Sequence, residues 1–358
     1  MAPGPITEDT VRDALQSFPD PETGKGIGET GQLGNVQVGE DSLRVTIGLT
    51  THSAVLYDEV KQQVAERLKE RFAGLADVSV EITEHARAPQ KIGQIGLTTK
   101  SVIAVGSGKG GVGKSTIAAA LALGLSRAGS KVGLMDADVY GPSIPHLLGV
   151  NQRPEVTDNR IQPIEASGLK VISMGFLVPP GEAVVWRGPM LHGAITQFLR
   201  DTDWGELDYL IIDMPPGTGD IALTLSQLLP LTGAVVVCTP QDVALLDAVK
   251  AVAMFRKVNI PLLGMVENMS GFVCPDCGKR YEIFGSGGAR RRAEELAIPF
   301  LGEVPITMRI RELGDAGQTG ANFDDPASAE TLLMLCRNLV RHLGDNVAGA
   351  GPLPVLSA

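Results

Sequence analysis

The sequence predicts an α/β protein: a mainly parallel sheet covered by helices on both faces, preceded by a small α+β unit. Three observations carry that prediction. Short, continuous apolar runs recur at residues 102–105, 132–135, 209–212, 234–238 and 262–266, with helical patterns between them. Strands that are apolar throughout, rather than alternating, are buried on both faces, as parallel strands are. Before residue 100 the texture differs, because Leu43, Val45, Ile47 and Leu49 alternate with Arg44, Thr46 and Gly48, the period of a strand with one buried face. At 358 residues the chain has room for about two domains and ample core.

The elements follow in order. In residues 1–85, Val11, Leu15 and Phe18 lie close to helical spacing, and a Gly-rich loop covers 20–34. The strand at 43–49, a charged amphipathic helix at 55–72, and the alternating Val78, Val80 and Ile82 complete this unit. Residues 86–100 are polar, basic and weakly periodic, which predicts a linker. The second domain spans 101–345 and closes with a helix near 328–343; the Gly/Pro-rich tail 346–358 is expected to fray.

Composition excludes several function classes. A formal net charge of −10 argues against broad nucleic-acid or anionic-membrane binding. Aromatics at 4% leave little material for base-stacking platforms. Four cysteines are too few for a disulfide-stapled scaffold of this size. No basic segment followed by an apolar core opens the chain, and no run approaches the ~18–20 apolar residues that span a bilayer. The most apolar run, 117–125, suits a buried helix. The expected location is the cytoplasm. Glycine is in surplus, at 43 residues, and asks where it is used.

Part of the answer is residues 102–117, VIAVGSGKGGVGKSTI. An apolar strand runs into Gly108-Lys109-Gly110-Gly111-Val112-Gly113-Lys114-Ser115, followed by Thr116 and an Ala/Leu-rich helix. This satisfies G-x-x-x-x-G-K-[ST] in its required strand–loop–helix context. Glycines let successive backbone N–H groups converge on phosphate oxygens, and the helix N-terminus adds a positive dipole end. Lys114 is expected to reach the β- and γ-phosphates of ATP and Ser115 to ligate Mg2+. Lys109 is either a solvated surface charge or a second cation within reach of triphosphate. The stretch from Lys109 to Thr116 resembles the deviant P-loop of the nitrogenase-iron-protein, MinD and ParA superfamily. In that group the early lysine contacts nucleotide across a dimer interface.

Two acidic loops complete this site. The run at 132–135 ends in Asp136-Ala-Asp138, and that at 209–212 ends in Asp213-Met-Pro-Pro-Gly217. Both put carboxylates at the C-terminal ends of sheet strands, the edge where ligands bind in such folds. Asp213 fits the acid that holds Mg2+, and Gly217 can offer its N–H to a γ-phosphate. By the same resemblance Asp138 orients the attacking water and Asp136 supports it. A helix N-cap is the plainer alternative for these carboxylates. Asn268 matches the superfamily's adenine-reading asparagine, with a turn residue in Asn-Met-Ser-Gly as its competitor.

Cys274-Pro-Asp-Cys277-Gly supplies two thiolates where zinc and Fe–S sites want four. Cys238 and Cys336 sit in apolar runs and read as buried small residues. Two subunits pairing their loops would make a site of four cysteines on a two-fold axis, the same dimer that a cross-subunit Lys109 asks for. A shared Fe–S cluster, a shared structural zinc and a redox dithiol all remain open on the residues alone.

Taken together, the deviant P-loop, Asp136-Ala-Asp-Val-Tyr-Gly-Pro-Ser143, Trp186-Arg-Gly-Pro-Met190, Asp213-Met-Pro-Pro-Gly-Thr-Gly-Asp220 and Cys274-Pro-Asp-Cys277 resemble the Mrp/ApbC iron–sulfur cluster carriers over about residues 100–345. The N-terminal unit, with Asp20-Pro-Glu22 and the strand at 43–49, is similar to the MIP18-like domain. That domain often carries Thr-x-x-x-Cys-Pro after its strand, whereas this chain has Thr50-Thr-His-Ser-Ala-Val55 and no cysteine in residues 1–237. Scaffolding or client docking is therefore its expected role, rather than thiol chemistry. The resemblance implies a homodimeric ATPase with ATP, Mg2+ and a bridging [4Fe-4S] cluster held by Cys274 and Cys277. Its implied partners are apo iron–sulfur clients and a cluster-assembly scaffold, with no nucleic acid and no membrane. Trp186 reads as a core or interface anchor, and Arg187 as a partner for carboxylate or phosphate.

Three competitors come from other classes. A MinD/ParA-like positioning ATPase needs a membrane-targeting helix or a basic DNA face. A reductase component needs cluster cysteines near the switch loops. A zinc-stabilised scaffold needs only the knuckle.

Overall fold

The strand-period segment near residue 45 becomes a central strand of the first of two compact units in a computed structural model. The structure describes residues 6–72, 74–177, 188–217 and 219–349, with side chains as far as 345. Trp186 and Arg187 lie outside the described residues, as do Thr218 and residues 350–358 of the tail.

The first unit comprises Met1–Arg87 and the chain from Val340 onward. It contains α1 (Glu8–Leu15), β1 (Leu33–Val38), β2 (Ser42–Leu49), α2 (Tyr57–Arg71) and β3 (Asp77–Glu84). Thr7 and Thr10 form a reciprocal capping box that starts α1. The sheet order is β1-β2-β3, with β1 antiparallel and β3 parallel to β2. Leu43, Val45 and Ile47 point into a core with Val11, Leu15, Val64 and Leu68. Strand β1 begins at the last two residues of the stretch expected as loop and runs through residues to which the sequence assigned no element. Only its Val36 is buried, so the strand leaves almost no apolar alternation to read.

The second unit is Ala88–Leu339. Its strands are β4 (Lys91–Ile92), β5 (Leu97–Gly106), β6 (Val132–Asp136), β7 (Val156–Thr157), β8 (Arg160–Ile161), β9 (Ile164–Ala166), β10 (Leu169–Ser173), β11 (Leu207–Asp213), β12 (Gly233–Cys238), β13 (Leu262–Val273), β14 (Arg280–Tyr281) and β15 (Phe300–Ile306). Its helices are α3 (Lys114–Ala128), α4 (Ile144–Leu147), α5 (Gly188–Asp201), α6 (Gly219–Leu228), α7 (Asp242–Lys257), α8 (Gly288–Glu295) and α9 (Met308–Asp315), before the long α10 (Pro326–Gly349). All five predicted strands are present. The parallel order is β15-β13-β12-β5-β11-β6-β10, with β9, β14 and β4 antiparallel at the margins.

Every residue of β6, β11 and β12 is buried, as strands covered on both faces must be. The chain moves one way from β5 through α3 to β6, and the other way from β11 through α6 to β12. Right-handed crossovers then put α3 and α6 on opposite faces. The reversal lies beside β5, and such a switch point opens a crevice at the carboxyl ends of the strands. Helix α3 buries residues 117–125 from end to end, as the apolar run predicts.

Two boundaries differ from expectation. Most of the expected linker 86–100 belongs to the second unit, where β4 pairs with the first residues of β5. Its polar look misleads because Thr99 is buried within β5. Helix α10 continues to Gly349, past the break expected near 343. Gly344 belongs to the first unit, where a Cβ on it would stand 2.5 Å from the Pro21 carbonyl oxygen. The glycine there serves close approach instead of ending the helix.

Candidate functional site

Strand β5 delivers the chain into the Gly-rich loop at the switch point, and α3 begins at Lys114 directly after it. Gly111 and Gly113 have φ of 80° and 78°, the left-handed region that glycine enters without a Cβ penalty. Gly108 is required for another reason, since a Cβ there would lie 2.0 Å from the Asp247 carbonyl oxygen of α7. The loop lines a cavity of about 450 Å3 with Lys109, Gly110, Lys114, Ser115, Thr116 and Asp138. Lys109 is half-buried on this wall, and exposed Tyr140 stands at its rim.

Lys114 is almost fully buried among carboxylates. Its ammonium is 2.5 Å from Asp213 Oδ1, 3.5 Å from Asp138 Oδ2 and 3.2 Å from Ser115 Oγ. The other carboxylate oxygen of Asp213, Oδ2, is buried without a hydrogen-bond partner. Burial pushes the Asp213 carboxyl up, against the pull of Lys114. An orphaned buried carboxylate oxygen beside a serine hydroxyl is an oxygen donor set of the kind Mg2+ takes.

Asp136 serves the loop. Its Oδ1 accepts the Asp138 N–H at 3.0 Å, and its Oδ2 accepts the Ile144 N–H at 3.2 Å and the Ser173 hydroxyl at 3.0 Å. It therefore supports Asp138 and also takes a free donor at the start of α4. Burial, then the neighbouring Asp213 charge, pushes its carboxyl up to about 7. Asp138 Oδ1 accepts the N–H groups of Tyr140 and Gly141, which turns its Oδ2 towards Lys114.

Two predicted residues sit differently from expectation. The Gly217 N–H donates to the Ser107 carbonyl at 2.9 Å, so offering it to a phosphate requires exchange of that bond. Asn268 lies within β13, not after its end, and its side-chain amide donates to the Val112 carbonyl at 2.8 Å. Gly113 makes room for it, since a Cβ there would be 2.1 Å from Asn268 Nδ2. Here Asn268 braces the loop from behind.

The thiol pair caps the hairpin between β13 and β14. The Cys274 N–H donates to the Lys279 carbonyl at 3.0 Å, and the Gly278 N–H donates to the Cys274 carbonyl at 2.9 Å. Backbone N–H groups of Cys277 and Asp276, then the Cys277 thiol, draw the Cys274 thiol below its usual pKa. Cys277 is exposed, while Cys238 and Cys336 are buried and burial pushes both up to about 12. Among the described residues no third His, Cys, Asp or Glu joins the pair.

Sequence reasoning missed the base of this hairpin. Arg280 donates to Glu303 at 3.1 Å, to Glu282 at 2.9 Å and to the Ser270 carbonyl at 3.1 Å. Buried Glu267 accepts the Gly287 and Ala289 N–H groups at 2.8 and 2.7 Å. A charged residue at the end of an apolar run was the one local signal; Glu303 comes from another strand and left none.

A family model described as NUBPL iron-transfer P-loop NTPase matches residues 98–340. A second, described as iron–sulfur cluster assembly protein, matches residues 8–82. The iron–sulfur cluster carrier protein of Deinococcus radiodurans is 45% identical over 353 residues, covering 97% of this chain and 99% of the relative. This chain belongs to the iron–sulfur cluster carrier family of P-loop NTPases.

The carrier protein of Escherichia coli K12 is 44% identical, over 94% of this chain and 90% of its own. A nucleotide-binding protein of Archaeoglobus fulgidus, solved in complex with ADP, is 42% identical. It covers 65% of this carrier and 91% of its own chain, with a TM-score of 0.57. The cell-division ATPase MinD of Pyrococcus furiosus matches at 22% identity, over 67% of this carrier and 98% of its own chain, with a TM-score of 0.50, and so shows the fold alone. As a P-loop NTPase of this family the carrier is an ATPase. Its first unit corresponds to the second model. There Asp20 is buried and accepts from Thr23, Gln32 and Arg87 at 2.7, 3.0 and 3.0 Å, and the Thr50 hydroxyl donates to Glu22.

Proposed function

We propose that the carrier works as a homodimer whose two Cys274/Cys277 loops hold one bridging [4Fe-4S] cluster as cargo for apo client proteins. The observation that carries this reading is the isolation of the pair: two accessible thiols, one with a lowered pKa, and no further ligand beside them among the described residues. Four thiolates complete a cluster site, and a second copy supplies the missing two. Tyr140 at the rim of the loop cavity, and Leu223, Val243 and Leu246 on α6 and α7, are exposed apolar side chains that a second copy would cover.

ATP fills the loop cavity, with the N–H groups of Gly110 to Thr116 toward its phosphates and Lys114 on the β/γ oxygens. Ser115 and Asp213 would hold Mg2+, which when bound screens phosphate charge. Lys109 acts across the dimer interface on the partner's nucleotide. Asp138 orients the attacking water, and Gly217 joins the second switch loop. Hydrolysis releases these loops and alters how the four thiolates grip the cargo. The MIP18-like unit docks clients or a cluster-assembly scaffold. No described helix is long and apolar enough to cross a membrane. A cytoplasmic place of work, away from membrane and nucleic acid, fits the net charge of −10.

Anaerobic reconstitution with iron and sulfide, read by visible absorbance, metal content and native mass, tests this reading. The expected result is four irons per two chains, lost in Cys274→Ser. Zinc retained after anaerobic purification, with no iron uptake, would replace the cluster by a structural metal.

A further inference from the structure

Strand β13 carries residues of both sites. Near its middle Asn268 donates to the Val112 carbonyl of the phosphate loop, and six residues later Cys274 directly follows the strand's last residue, Val273. Between them the strand breaks register. Its pairing with β15 slips between Asn268 and Phe272, and Met269 and Gly271 take φ of 59° and 70°.

The break is clamped from both sides. On the loop side, Glu267 anchors the strand to the start of α8 through the Gly287 and Ala289 N–H groups. Its Oε1 is also 2.8 Å from the Ser270 hydroxyl. On the thiol side, Arg280 reaches back across the hairpin. One terminal nitrogen donates to the Ser270 carbonyl at 3.1 Å and its hydroxyl at 3.2 Å, and the other donates to Glu303 at 3.1 Å. The guanidinium lies directly on Gly271, where a Cβ would stand 2.6 Å from Arg280 Nε.

We propose that Asn268 and Arg280 are positioning residues that couple the phosphate loop to the thiol pair through the β13 break. A change in the direction of the Val112 carbonyl moves the Asn268 amide. Glu267 holds the strand on one side, so the displacement is taken up in the Met269-Ser270-Gly271 break. The fork of Arg280 ties that break to β14, and hence to the hairpin that aims Cys274 and Cys277. A planar fork with several fixed donors transmits such a displacement better than one flexible contact. This deepens the carrier reading and rests on it for its purpose, but the coupling itself requires no cluster.

The test uses the full-length protein free of metal, with its thiols reduced. Alkylation of Cys277 and Cys274 by N-ethylmaleimide is followed peptide by peptide by mass spectrometry, without nucleotide and at saturating Mg-ATP or Mg-ADP. Saturation of each variant is verified with a fluorescent nucleotide, and native mass is recorded so that ratios are compared at one association state. The expected wild-type rate changes at least threefold with nucleotide, and that ratio falls to near one in Arg280→Gln and in Asn268→Asp. Arg280→Lys, which keeps the charge without the fork, also loses most of it. A wild-type ratio of one overturns the proposal, as does survival of the wild-type ratio in either Arg280→Gln or Asn268→Asp. Failure of cluster reconstitution would strike the carrier reading and leave these ratios intact.

Discussion

Lys114 and Asp213 form a buried ion pair, with the ammonium 2.5 Å from Oδ1 and neither side chain more than 6% exposed. The lysine starts α3 and the aspartate ends β11, so the pair ties the phosphate loop to the second acidic loop. Lys114→Ala leaves the Asp213 and Asp138 carboxylates buried without their cation. Removing one partner of such a pair costs about 3 kcal/mol of stability. On the proposed role of Lys114 at the transferred phosphoryl group, its loss is expected to lower turnover at least ~100-fold. Phosphate release and thermal melting check the two effects. Turnover within tenfold of wild type would place hydrolysis elsewhere.

Thiol reactivity divides the four cysteines by position. The lowered Cys274 pKa makes its thiolate form at a lower pH than that of an ordinary thiol. Cys238 and Cys336, pushed up to about 12 and buried, stay protonated and shielded. Iodoacetamide labelling of the native protein between pH 6 and 9 is expected to modify Cys274 and Cys277, with Cys274 leading at the acid end. The other two should label only in denaturant. Labelling of Cys336 under native conditions would contradict its packing.

In the first unit, burial alone would raise the Asp20 pKa, but Gln32, Thr23 and Arg87 outweigh it and hold the carboxyl below its ordinary range. A depressed folded-state pKa stabilises above the unfolded value of 3.8, and the gain is lost as pH falls through the folded value. Arg87→Ala removes the cation from a carboxylate with no exposed surface, at a cost of about 3 kcal/mol. Gln32 and Thr23 still hold the carboxyl down, so the variant keeps the same sign of pH dependence but loses less stability than wild type as pH falls. Hydrogen exchange of β1 to β3 in the full chain, from pH 2 to 6, reads both effects. An unchanged pH slope would show that Arg87 does not govern Asp20.

Helix α3 is tested at Gly124, where a Cβ would meet Cys336 Sγ at 2.6 Å and Phe323 at 3.1 Å. Alanine is the better helix former by about 1 kcal/mol. Overpacking a closed interior costs about 1–3 kcal/mol. The clash is expected to win, so Gly124→Ala melts below wild type. Adding Cys336→Ala removes the clashing sulfur, and the double variant should lose less than the sum of its parts.

Much of the candidate site was legible because its chemistry is contiguous. Residues 108–116, Asp136 to Asp138, Asp213 to Gly217, and Cys274 to Cys277 each sit in one short segment after an apolar run, and the fold needs only parallel strands to bring them to one edge. Strand β1, the extent of β5 and the run of α10 past Gly344 were not legible. Strand β1 is exposed along most of its length, β5 extends through polar residues that become buried, and in α10 a glycine serves close approach; none of these shows without its neighbours.

By itself, then, the sequence determined the α/β class, the phosphate loop, the acidic strand ends and the incomplete thiol pair, since backbone conformation and ligand chemistry there depend on adjacent residues. Only the tertiary structure decided that Asn268 braces Val112, that Gly217 bonds Ser107, and that Arg280 and Glu303 hold the base of the hairpin. These contacts join residues up to 156 positions apart, and strand order and register set them. A hydrogen bond is short-ranged and directional, so its partner is known only once the sheet has closed.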